Sequence, residues 1–243
     1  MPSPILILGA TGGIGSAIAL KLASVGAEVI LHGRDRARLE SLSKEIGRTA
    51  STCVADLTSE VEVKSLFLDL ASRYESLSGV IFTIATPFQN KLAHRTGWDA
   101  FEAQMNTQLK ALHLCATAAM PLMSNRESTA RLIVVGTEFT TFTPPKKTAC
   151  YVSAKAAMSA YAQVIAQEWL TSNIRVHIVA PGLVKTNFVA AMPDEFLEQV
   201  AEQMPERRLT SVEDVARMVA FMMTDAADPL YGIPVRVSRD YRK

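Results

Sequence analysis

Seven short apolar runs, separated by longer segments of helical periodicity, restrict the fold of this chain more than any other feature. They fall at Ile5 to Leu8, Val29 to Leu31, Thr52 to Val54, Val80 to Ile84, Leu132 to Val135, Val176 to Val179 and Val235 to Val237. Helical patterns occupy 14–24, 36–46, 60–74, 98–123, 151–171 and 212–224 between them. A strand that is apolar at successive positions is buried on both faces, as in a parallel sheet covered by helices on either side. The expectation is a doubly wound α/β fold with a seven-stranded parallel sheet and helices on both faces. No internal repeat and no Pro/Gly/Ser-rich or highly charged linker divides the 243 residues, so one domain over 1–243 is expected.

The first strand runs into Gly9-Ala10-Thr11-Gly12-Gly13-Ile14-Gly15 just before the first helix. Glycines there let a phosphate approach the exposed N–H groups of a helix start, and the Thr11 hydroxyl can add a bond to it. The position is that of the dinucleotide turn of a Rossmann fold. At the end of the second strand an NAD-binding protein normally carries an acid for the ribose hydroxyls, whereas this chain has His32-Gly33-Arg34. Arg34 can take a 2′-phosphate bidentately, which favours NADPH/NADP+ over NADH. Arg36 and Arg38 add charge nearby, Arg38 reading as a solvated residue of the helix start, and Asp35 weighs against the assignment. After the third strand, Asp56 suits an adenine amine and Leu57 the adenine ring. Asp56 can equally cap the helix that follows.

Further along, Tyr151-Val152-Ser153-Ala154-Lys155 opens a helical pattern that puts Tyr151 and Lys155 on one face, a turn apart. A cation beside a phenol favours the phenolate and would lower its pKa, fitting the tyrosine to pass a proton.

Composition excludes other classes. A charged fraction of 20% and a formal charge of +1 give no electrostatic case for nucleic acid or an anionic membrane. Cys53, Cys115 and Cys150 are scattered and read as free thiols, and the four histidines have no metal-ligand spacing. No signal-type segment precedes Ile5, and the apolar run 111–123 contains His113 and Pro121 and is too short to span a bilayer. A cytoplasmic protein acting on small molecules is expected.

In order along the chain, these residues resemble the short-chain dehydrogenase/reductase superfamily over essentially the full length. Gly9, Gly12, Gly13, Ile14 and Gly15 stand at its cofactor turn, Asp56 at its adenine contact, Asn106 at its helix asparagine, and Tyr151 and Lys155 at its catalytic pair. Pro181-Gly182-Leu183-Val184-Lys185-Thr186 resembles the segment that embraces the nicotinamide carboxamide. The tail, from Arg207 to Ala216 and Leu230 to Gly232, is similar to that of bacterial 3-oxoacyl-carrier-protein reductases.

Three departures qualify the likeness. The family serine after the fifth strand has no counterpart. Counting back from Tyr151 selects Glu138, but the local pattern of a β run, a glycine and a hydroxyl residue selects Thr137, which we take. The family's Asn-Asn-Ala-Gly is replaced by Thr83-Ile84-Ala85-Thr86, where Ala85 can still line the ribose. This run is like that of the enoyl-reductase branch, which sets its tyrosine and lysine seven positions apart, but Met158 stands at that position here. The glycine turn also has Gly12 where many NADP-preferring relatives carry a basic residue.

The resemblance implies an NADPH-dependent reductase of a ketone, such as a 3-oxoacyl or similar apolar carbonyl compound, free or thioester-linked. Tyr151 would supply the proton, Lys155 hold the ribose hydroxyls, Thr137 position the carbonyl, and Asn106 keep a relay water. The substrate roof is expected at about 186–210, with Phe139, Phe142, Phe188 and Met192 as apolar lining and Lys146 and Lys147 at the mouth. Assembly as a homotetramer or homodimer through the helices at 98–123 and 151–171 is implied by analogy. The alternatives are an alcohol, steroid or secondary-metabolite dehydrogenase, and a non-catalytic NADP-binding regulatory or scaffold protein.

Overall fold

A computed structural model describes residues 3–125, 127–186 and 194–239. The strands are β1 (Ile5–Leu8), β2 (Val29–Gly33), β3 (Ala50–Val54), β4 (Gly79–Phe82), β5 (Ala130–Val135), β6 (Ile174–Pro181) and β7 (Pro234–Val237). They form one sheet in the order β3-β2-β1-β4-β5-β6-β7, with every pairing parallel. The helices are α1 (Gly13–Ser24), α2 (Arg36–Ile46), α3 (Glu60–Arg73), α4 (Trp98–Met105), α5 (Ala111–Ser124), α6 (Ala149–Glu168), α7 (Asp194–Glu202) and α8 (Val212–Met222). The expected seven-stranded doubly wound sheet is the fold observed.

Successive strand residues feed opposite cores, which is why the strands read as unbroken apolar runs. Leu6 and Leu8 of β1 and Leu132 and Val134 of β5 join one core, under α3, α5 and α6. Ile5 and Ile7 of β1 and Ile133 and Val135 of β5 join the other, under α1, α2 and α8. From β1 the chain first builds outward through β2 and β3, then returns to place β4 on the other side of β1. The connections therefore diverge above the carboxyl ends of β1 and β4, and a crevice opens at that switch point.

Local signals set the helix starts. The Asp35 side chain accepts the Arg38 N–H to cap α2, and Ser59 accepts the Glu62 N–H to cap α3. The second reading of Asp56, as cap of α3, is thereby corrected. Ser211 and Asp214 form a reciprocal capping box on α8. The pattern at 98–123 is not one helix: a π-helical turn, Asn106–Lys110, separates α4 from α5. α7 lies in the stretch expected to roof the substrate, where no helix was read. Phe188 and Met192 of that stretch fall outside the described residues.

Candidate active site

A cleft of about 1180 Å³ lies over the switch point. Gly9, Thr11 and Gly12 to Gly15 form one wall of it. Gly9 has a φ of 92°, and a Cβ there would sit 2.6 Å from Thr83 Oγ1. A Cβ on Gly13 would stand 2.8 Å from Thr186 Cγ2, and one on Gly15 would collide with the Gly9 carbonyl. Gly12 caps α1 without a side-chain bond, leaving the first-turn N–H groups available to an anion. The turn is anchored by Thr83, whose hydroxyl donates to the carbonyls of Leu8 at 2.9 Å and Gly9 at 3.2 Å. Thr83 thus ties β4 to the turn where the family has an asparagine.

Beyond the turn, Arg34, Arg38, His32, Asp56 and Leu57 line the cleft together. Asp35 is occupied with α2, so the carboxylate that weighed against a 2′-phosphate is directed elsewhere. Arg38 is not the purely solvated residue expected: its Nη2 donates to the Thr11 carbonyl at 2.6 Å and braces the glycine turn. His32 is buried, and burial lowers its pKa to about 4, so the ring is neutral, with Nε2 donating to the Ala55 carbonyl at 3.0 Å. Its Nδ1 is buried without a partner. The Thr58 N–H and hydroxyl bind one Asp56 oxygen at 2.9 and 2.8 Å and hold that carboxyl below its usual range. These groups together fit a dinucleotide: glycines where a Cβ has no room, free helix N–H groups, and two arginines at the ribose end.

At the other end, α6 presents Tyr151 and Lys155 to the cleft, both buried. The Tyr151 phenol is hydrogen-bonded to Thr137 at the end of β5. Lys155 Nζ donates to the Val135 carbonyl at 2.8 Å. The expectation that the lysine lowers the tyrosine's pKa is corrected. Burial pushes the phenol up to about 12, against the opposing effect of the Thr137 bond, and burial brings the ammonium down to about 7. Each charged form loses its hydration, and desolvation outweighs any help one gives the other. Glu138 also borders the cleft but turns its carboxylate to Arg236, whose Nε donates at 2.7 Å. The Arg236 guanidinium lies 4.2 Å above the Phe142 ring, which is absent from the cleft wall.

Asn106 is not brought to this group. It borders a separate shallow recess with Met105, Leu109, Lys110, His113 and Tyr161. The π-helical turn accommodates an extra residue, so the faces of α4 and α5 cannot be read as one continuous helix. Thr107 and Ala111 border the cleft instead, and Gln108 is fully buried between them in sequence. Ala85, Pro181, Gly182, Val184 and Thr186 all lie on the cleft wall. Phe139, Lys146, Lys147, Val200 and Met204 complete its outer part. Sequence reasoning missed Phe88, whose ring stacks on Tyr151 at 5.0 Å and 13°. No local signal marks that contact, which exists only once β4 and α6 are packed. Among the described residues no His/Cys/Asp/Glu cluster could hold a metal ion, and no helix is long and apolar enough to cross a membrane.

A family model described as enoyl-(acyl carrier protein) reductase matches residues 9–238. The 3-oxoacyl-[acyl-carrier-protein] reductase of Staphylococcus aureus strain Mu50 is 28% identical over 242 residues, covering 98% of this chain and 97% of that protein. A short-chain dehydrogenase/reductase family oxidoreductase from Burkholderia thailandensis superposes with a TM-score of 0.88 at 25% identity, covering 98% of this chain and 92% of that one. The 3-ketoacyl-(acyl-carrier-protein) reductase of Brucella melitensis, complexed with NADH, gives 0.89 at 21% identity, covering 97% and 96%. At that identity the last of these speaks to the fold alone.

Proposed function

The chain belongs to the short-chain dehydrogenase/reductase family and is an NAD(P)-dependent oxidoreductase, and from that premise we propose that it uses NADPH to reduce a ketone of the 3-oxoacyl thioester or a similarly apolar class. The observation that carries this reading is the meeting of Tyr151, Lys155 and Thr137 beside a glycine-walled cleft.

The nucleotide, when bound, supplies the hydride. The N–H groups of Gly13, Ile14 and Gly15 would hold its phosphates beside Gly12, whose own N–H donates to the Gly9 carbonyl at 3.1 Å, with Thr11 adding a hydroxyl. Arg34 would take the 2′-phosphate, and Arg38 braces the turn beside it. Asp56 and Leu57 would hold the adenine, Ala85 the ribose, and Pro181, Gly182, Val184 and Thr186 the carboxamide.

The Tyr151 phenol gives its proton to the substrate oxygen as the carbonyl carbon accepts hydride. A buried phenol that stays protonated at neutral pH starts the reaction in the form that can donate. The Thr137 hydroxyl, bonded to that phenol, would donate to the same oxygen. Lys155 has one N–H on the Val135 carbonyl and keeps others for the ribose hydroxyls. Asn106, outside the cleft, takes no part.

Ile84, Phe88, Phe139, Leu183, Val200 and Met204 on the cleft wall suit an apolar acyl group, and Lys146 and Lys147 suit an anionic carrier. Met158, buried in α6 where the enoyl-type spacing would require lysine, favours ketone over enoyl chemistry. Three buried free cysteines support a cytoplasmic setting. Exposed Trp98 and Val164, on the helices of the expected interfaces, support a homodimer or homotetramer.

The test is fluorescence titration with NADPH and NADH, then NADPH oxidation with an acetoacetyl thioester. Tighter NADPH binding is expected, together with turnover that falls by about 10²- to 10⁴-fold in Tyr151→Phe while nucleotide affinity holds. Binding without turnover across a panel of ketones would overturn the reading and favour a regulatory or scaffold protein.

A further inference from the structure

The Tyr151 phenol is covered by a residue that the family likeness does not account for. The segment 85–90 after β4 has no regular secondary structure, yet it sets Phe88 parallel to the Tyr151 ring, 5.0 Å between centroids. Something must hold such a segment in place. Gln104 Nε2 donates to the Thr86 carbonyl at 3.2 Å and to the Pro87 carbonyl at 3.4 Å. Gln104 Oε1 in turn accepts from Gln108 Nε2 at 2.6 Å. Both glutamines are buried, and Gln108 Oε1 has no partner. Two long amide side chains in an interior, one with an orphaned oxygen, are unfavourable for stability alone. Gln108 belongs to the π-helical turn and Gln104 to the end of α4 just before it; such turns are found often at functional sites.

We propose that Phe88, held over Tyr151 by the Gln108–Gln104 amide pair, is a positioning residue that fixes the tyrosine ring and shields its phenol from water. This rests on the reading of Tyr151 as the proton donor. The chain of contacts runs from the π-helical turn, through two amides, to the carbonyls of Thr86 and Pro87, and from Phe88 to the phenol. With one ring face covered, the tyrosine meets the cleft at its hydroxyl edge, beside Thr137. The shielding agrees with the direction in which burial moves this phenol.

The experiment measures ionised Tyr151 by its phenolate absorbance at pH 11, as the difference between each protein and the same protein carrying Tyr151→Phe. A phenol near 12 is about one-tenth ionised there. In Phe88→Ala the phenol moves back about one unit, so the ionised fraction rises about fivefold to roughly one half. Phe88→Leu, which keeps apolar cover without the stacked ring, gives a smaller rise and serves if the alanine variant fails to fold. Gln104→Met gives about a twofold rise, because the segment loses its donors while the ring remains. Phe88→Tyr restores the parent value.

NADPH affinity within about twofold of the parent reports that the fold is kept. An unchanged phenolate fraction in both Phe88→Ala and Phe88→Leu overturns the proposal. A Gln104→Met protein that loses stability without moving the phenolate overturns the part given to the amide pair. If the parent reduces no ketone but the phenolate moves as described, the positioning role stands and the functional reading falls.

Discussion

Replacing Lys155 by methionine is expected to change stability in a pH-dependent way whose sign and size follow from burial. The ammonium pKa drops from 10.5 in the unfolded chain to about 7 in the fold. Between those values the unfolded chain binds more protons than the folded one, so stability rises with pH across that window. Below pH 7 the lysine is charged in both states and its burial is fully destabilising. A gap of about 3.5 at about 1.4 kcal/mol per unit comes to about 5 kcal/mol, an order of magnitude.

At pH 9 about 1.5 of that gap remains, or about 2 kcal/mol. Methionine carries no charge and loses the bond to the Val135 carbonyl at either pH. The variant's advantage over the parent should therefore shrink by about 3 kcal/mol between pH 6 and pH 9. For a chain of this size that is a fall of about 6–12 °C in the difference between the two melting temperatures. Tyr151 does not blur the comparison, because its phenol is protonated in both states throughout that range. Calorimetric scans of both proteins without nucleotide, at the two pH values, make the measurement. A difference that stays constant, or one that grows toward pH 9, would refute the reasoning.

Three other substitutions test the ends of the cleft. Arg34→Ala should weaken NADPH about tenfold or more and leave NADH nearly unchanged, whereas Arg38→Met, which removes the brace on the Thr11 carbonyl, should weaken both; paired fluorescence titrations separate the two patterns. Glu138→Gln removes the buried charge that accepts from Arg236 Nε at 2.7 Å and should lower stability by about 1–3 kcal/mol, read as an earlier urea midpoint.

Much of the fold was legible because its signals are local. The unbroken apolar runs at Ile5 to Leu8 and Leu132 to Val135 announce strands buried on both faces, and the glycines from Gly9 to Gly15 announce a turn where backbone must come close. Tyr151 and Lys155 meet through helical spacing alone. What was not legible depends on packing between distant segments. Asn106 was assigned through the family resemblance on a stretch read as one helix from 98 to 123, and the π-helical turn changes which residues of that stretch face the cleft. Phe88 reaches Tyr151 only across the gap between β4 and α6, and Arg38 reaches Thr11 only when α2 packs beside the first turn. The ionisation of Tyr151 and Lys155 turns on how much water the assembled fold removes, a quantity that residue spacing does not contain.

The Thr137 hydroxyl and the Tyr151 phenol ride on different anchors, one on the end of a sheet strand and the other on α6, and the segment between them runs along the surface. Their separation in space is set by how α6 lies on the sheet, not by the number of residues joining them. Chain length in that connection is then a free variable, able to drift by insertion or deletion while the two oxygens stay within bonding distance. The same freedom makes 140–148 a natural place for grafting: a longer loop there could reshape the cleft mouth around Lys146 and Lys147 without disturbing the Tyr151–Thr137 pair.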